Sequence, residues 1–195
     1  MRMRTTTVAD AAPVDDDSAS LSFLTPLRYF SLYRLLMTSV LLAIVLGFAG
    51  DISFGRYNEM LFSRTALAYW GFALVTMLGA DRVLPTSGGR LTLGVLADIV
   101  FLTVLTYASG GASSGLPFMH VVVLAFAALV GQGRLAVFYA AVASIAMLFE
   151  QSIQAITTVD DATTFVQVGT ISIGFFATAI AVRLLARRVI ANEVL

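Results

Sequence analysis

Six long apolar stretches leave this chain few ways to fold. They run over Tyr29–Gly50, Leu61–Ala80, Leu91–Ala108, Pro117–Val130, Leu135–Ile156 and Thr164–Ala186, each bounded by charge, Gly, Pro or Asn/Asp. A hydrocarbon core about 30 Å thick takes roughly 20 apolar residues in a helix. Segments such as Val40-Leu41-Leu42-Ala43-Ile44-Val45-Leu46 are apolar on every side, whereas a membrane barrel shows alternating segments of about ten residues. The expected fold is therefore an all-α integral membrane bundle of six transmembrane helices with short connections. Composition agrees: 58% of residues are hydrophobic and 12% charged, against about 45–50% and about 25% in soluble domains. A large soluble catalytic domain is excluded. The fourth stretch reaches only about 21 Å at the usual helical rise, so part of the Gly-rich connection before it is expected inside the membrane, shielded by protein.

The charges that exist are unevenly placed. Residues 1–26 are polar, with Asp15-Asp16-Asp17 and Pro13, and read as a disordered cytoplasmic tail, because they cannot bury enough apolar surface to offset ordering. Residues 27–186 form the membrane domain and 187–195 begin a cytoplasmic helix, with no Gly or Pro after Arg187-Arg188 to stop it. Lys is absent, so orientation follows Arg alone. With both termini in the cytoplasm, ten arginines lie inside and only Arg56 and Arg64 outside, which predicts an N-in, C-in bundle. A net charge of zero without a basic stretch gives no sign of nucleic acid as a partner. With no Cys and a single His, no metal-ligand cluster and no cofactor are expected. The partner that composition does imply is the lipid bilayer.

A few residues stand out against this background. Asp98 lies inside the third stretch and Arg34 inside the first, at similar depth, and a charge in the bilayer usually faces a partner. The pair reads either as a packing ion pair, the weightier reading, or as an ion site or switch; Arg34 can also snorkel to the surface. His120 and Glu150, near the outer ends of the fourth and fifth segments, form a second candidate pair, open to titration or mere interfacial decoration. Gly111-Ala112-Ser113-Ser114-Gly115 matches G-x-S-x-G, but a nucleophile elbow needs a strand-to-helix turn with Asp and His partners later in the chain. A tight turn of small residues is the expectation, and no catalytic residue is assigned. Two small-residue faces at four-residue spacing, Ala136/Ala140/Ser144 and Thr170/Gly174/Thr178, allow close helix approach, either within the bundle or toward a partner helix.

Together, Leu27-Arg28-Tyr29-Phe30-Ser31-Leu32-Tyr33-Arg34-Leu35, Leu96-Ala97-Asp98-Ile99-Val100 and Tyr107-Ala108-Ser109-Gly110-Gly111-Ala112-Ser113-Ser114-Gly115-Leu116 resemble the N-terminal sensor region of PilS-type two-component histidine kinases. The turn with Gly110, Gly111, Ser114 and Gly115 is the most specific part. The resemblance covers roughly residues 24 to 195. It implies a six-helix sensor in the bacterial inner membrane, a homodimer controlling type IV pilus genes and detecting pilin through its apolar helix. A response regulator would be reached only through a kinase domain. His120 is membrane-embedded, and neither a later His nor a nucleotide-binding motif follows Arg188, so this chain is expected to carry no kinase activity itself and to be a sensor fragment or truncated product. The alternative is a small six-helix transporter or substrate-binding subunit.

Overall fold

The computed structural model describes residues 16–47, 55–131, except 84–86, then 133–157 and 162–192. Six α-helices carry nearly all of them: α1 (Asp16–Gly47), α2 (Glu59–Val83), α3 (Ser87–Ala108), α4 (Pro117–Val130), α5 (Gly133–Thr157) and α6 (Ala162–Asn192). α1 starts at Asp16, inside the stretch expected to be disordered up to residue 26, and residues 1–15 lie outside the described residues. α6 is helical to Asn192 and continues without a break past Arg183, Arg187 and Arg188.

The helix ends follow local chemistry. Asn58 caps α2, its Oδ1 accepting the Leu61 N–H at 2.9 Å. Pro117 opens α4 at a position where a missing N–H costs nothing. Gly110 ends α3 with φ +93°, a left-handed conformation that Gly adopts without a Cβ clash.

Packing neighbours define a closed arrangement. α1 packs on α2, α2 on α3, α3 on both α4 and α5, α5 on α6, and α6 on α4, which also touches α1. α3 is the central helix: half of its most apolar window is buried, against 22% in α2 and in α6. The exposed surface is apolar, with Leu78, Val75, Ile145, Phe149, Ile156 and Ile173 all outward, as expected where lipid is the solvent. α2, α3, α5 and α6 are long and apolar enough to cross a bilayer, and Phe30–Ile44 of α1 and α4 are shorter apolar helices.

The short α4 is preceded by a structured connection. Gly111–Ser114 forms a 3-10 turn touching α3, α5 and α6. Gly111, Ala112 and Leu116 are buried while Ser113 and Gly115 are exposed, so protein shields one side of this irregular backbone, as such backbone requires wherever it enters hydrocarbon.

Candidate functional site

Charge is concentrated where α1, α2 and α3 meet. Arg34 and Asp98 are 4% and 1% exposed, with Nε 2.8 Å from Oδ1 and Nη2 donating to Oδ2 at 2.8 Å. The second contact is the aligned hydrogen bond; at the first the N–H points off line, so that contact is electrostatic. α2 completes the shell: Tyr69 Oη donates to Asp98 Oδ1 at 3.1 Å, and Arg34 Nη1 donates to Thr76 Oγ1 at 3.3 Å. Phe30 and Phe72 lie 4.8 and 5.3 Å from the guanidinium carbon, a cation–π arrangement.

Helix spacing makes this site. Gly94 lies one turn before Asp98, and a Cβ there would fall 2.6 Å from Arg34 Nη2. The bare backbone is thus a notch admitting the guanidinium beside its carboxylate. A two-toothed Arg–carboxylate contact of this kind fixes geometry as well as charge. The arrangement fits an ion pair that locks α1 to α3 through α2; it needs no further ligand to neutralise it.

A second polar region follows the inner face of α5, where Glu150, Gln151 and Gln154 are all buried. Gln154 Nε2 donates to Glu150 Oε1 one turn earlier. His120 of α4 is fully buried, with Nε2 3.3 Å from Thr103 Oγ1 of α3 and its ring stacked 5.7 Å from Phe175 of α6. The described contacts of His120 and Glu150 thus lead to different residues, Thr103 and Gln154.

The G-x-S-x-G segment is a turn. Ser113 Oγ donates to the Gly110 carbonyl at 3.2 Å and Ser114 Oγ to that of Gly111 at 2.7 Å. Gly110, Gly111 and Gly115 have φ of +93°, +79° and +78°. The turn is tied to the α1–α2 connection: Gly55 N–H donates to Ser109 Oγ at 3.1 Å, and the N–H groups of Tyr57 and Asn58 share the Ala108 carbonyl, each at 3.1 Å. Tyr57 also meets Thr157 and Tyr107 through its hydroxyl, and the hydrogen bond with Thr157 is the main cause lowering its pKa from the usual phenol value.

The two small-residue faces separate cleanly. Ala136, Ala140 and Ser144 are buried inside the bundle, so that face serves internal packing. Thr170 is exposed and Gly174 and Thr178 half-buried, and a Cβ on Gly174 would meet nothing within 4 Å.

Sequence reasoning missed Tyr69, Thr76 and Gly94, which acquire meaning only through the crossing of three helices. It also missed Gln154, whose signal was readable: residue 154 follows Glu150 by one helical turn, on the same face.

This geometry defines a class, a multi-pass helical membrane domain with an internal ion pair and a partly buried glycine-rich turn. More narrowly, the chain belongs to the family of PilS-like transmembrane domains, which matches residues 25–195. It is similar to the sensor protein kinase PilS of Pseudomonas aeruginosa, with 30% identity over 164 residues, covering 83% of this chain. The aligned part makes up 30% of that protein, so the chain corresponds to less than a third of its relative's length. No solved structure matches.

Proposed function

We propose that this chain is the membrane sensor module of a two-component histidine kinase in the bacterial inner membrane, N-in and C-in, working as a homodimer. Its stimulus is an apolar helix in the same bilayer, pilin being the occupant the family resemblance suggests, and its output is motion of α6 toward a cytoplasmic kinase. One observation carries this reading: α6 is a single helix from Ala162 to Asn192 that presents the partly exposed Thr170/Gly174/Thr178 face and continues past its three arginines. At about 1.5 Å per residue its length exceeds a hydrocarbon core of about 30 Å. Input surface and output rod are thus one rigid element.

The Arg34–Asp98 pair acts in this reading as the clamp that holds α1 against α3 while α6 moves. Its charges are answered by internal partners, which disfavours the transporter alternative, where such a pair would carry cargo. Photocrosslinkers placed at Thr170, Gly174 and Thr178 in native membranes are expected to capture a pilin helix, and probes at Ala136 and Ala140 are not. Products that are absent from all three α6 positions, and from the exposed faces of the other five helices, would sink the sensing of a helical partner.

A further inference from the structure

Three glycines in the α3–α4 connection have left-handed backbone, Gly110, Gly111 and Gly115. They differ in what surrounds them. A Cβ on Gly110 or Gly115 would meet nothing within 4 Å, whereas one on Gly111 would lie 2.6 Å from Oε1 and 2.9 Å from Nε2 of Gln154. The turn therefore rests its bare Cα directly on the carboxamide of α5. That carboxamide is itself held, since its nitrogen donates to Glu150 one turn back along α5, and Gln154 is 6% exposed.

The other side of the turn is fastened to a different helix pair. Ser109 accepts the Gly55 N–H and Ala108 accepts those of Tyr57 and Asn58, so the connection bridges the start of α2 to the end of α5. α5 in turn has its most extensive packing against α6.

We infer that Gly111 and Gln154 form a conformational lock: the seated turn fixes the position of α5, and through it α6, relative to the α1–α2 hairpin. Gln154 is a positioning residue here, and Glu150 sets its side chain. The inference rests on the proposed function only for the meaning of α6 motion; the lock itself concerns helix positions alone.

The chain contains no Cys, so spin labels can be attached through Arg64→Cys on α2 and Arg187→Cys on α6, both exposed positions, in the full chain in lipid nanodiscs. Gly111→Ala is expected to shift the mean label distance by about 2 Å, the scale of helix translation in switching bundles. Gly110→Ala and Gly115→Ala carry the same backbone strain and are expected to leave the distance unchanged. Gln154→Ala broadens the distribution without a shift, because the seat is lost but nothing pushes on α5. Gly111→Ala with Gln154→Ala returns the mean to the wild-type value, the new methyl occupying the vacated space.

Equal behaviour of the three alanine variants, or a double variant shifted as far as Gly111→Ala, overturns the lock. Should Gly111→Ala fail to fold, Gln154→Ala decides alone, and an unbroadened distribution overturns it. Distances that respond as expected in a protein whose α6 captures no partner helix would retain the lock and remove the sensing role.

Discussion

The Arg34–Asp98 site and the Glu150–Gln154 seam are equally buried, yet they hold their elements together by different means. At the first, two formal charges are set against each other, and α2 adds a hydrogen bond from Tyr69 to the carboxylate and one from the guanidinium to Thr76. At the second, the Glu150 carboxyl is bonded to a carboxamide on its own helix, and that amide lies closely against a glycine of the α3–α4 turn. The charged site is all-or-none: removing one partner strands the other in a medium that cannot solvate it. The seam is graded, because a neutral amide tolerates a changed neighbour at the cost of one hydrogen bond.

The sharpest way to break this contrast is Asp98→Asn. Leaving Arg34 buried without its anion is expected to cost about 3–5 kcal/mol of bundle stability, read as a lower midpoint in denaturant titration of the detergent-solubilised chain. A double replacement, Arg34→Met with Asp98→Leu, is expected to recover most of that loss, since apolar groups of similar volume need no compensation. If the double variant is as unstable as Asp98→Asn, stranded charge is not the cause.

Gly94→Ala comes next. Its methyl would press on Arg34 Nη2, and overpacking of this kind costs about 1–3 kcal/mol. The diagnostic is non-additivity: in an Arg34→Met, Asp98→Leu background the same substitution should cost much less, because the flexible chain can yield. Equal cost in both backgrounds would place its effect in α3 alone.

Smallest is Glu150→Gln, expected to lower stability by at most about 1 kcal/mol, since an amide oxygen can still accept from Gln154. A loss matching that of Asp98→Asn in the same titration would abolish the distinction between the two regions.

Much of the architecture was legible because hydrocarbon imposes so few choices on a backbone. The fourth apolar segment, Pro117–Val130, coincides with α4, since Pro and Gly punctuate it at both ends. α1 and α6 run beyond their apolar segments, because polar residues outside the bilayer continue a helix at little cost and hydropathy does not register them. Asp98 and Arg34 stood out as charges at membrane depth. Their surroundings did not: Tyr69, Phe72 and Thr76 are ordinary membrane-helix residues, and only the meeting of α2 with α1 and α3 makes them a shell. For Gly111 the sequence indicated a turn, while its seat on Gln154, 43 positions away by difference of residue numbers, is set by tertiary packing.

The unbroken run of α6 also has a kinematic consequence. α6 begins at Ala162. Treated as a rod pivoting there, α6 places Gly174 about 18 Å and Asn192 about 45 Å from the fulcrum at the usual rise. Sideways displacement at Gly174 is then multiplied about 2.5-fold at Asn192, the ratio of those two helical lengths. In the proposed sensing mode, a sub-ångström adjustment where helices touch in the bilayer becomes a movement of bond-length scale at the far tip.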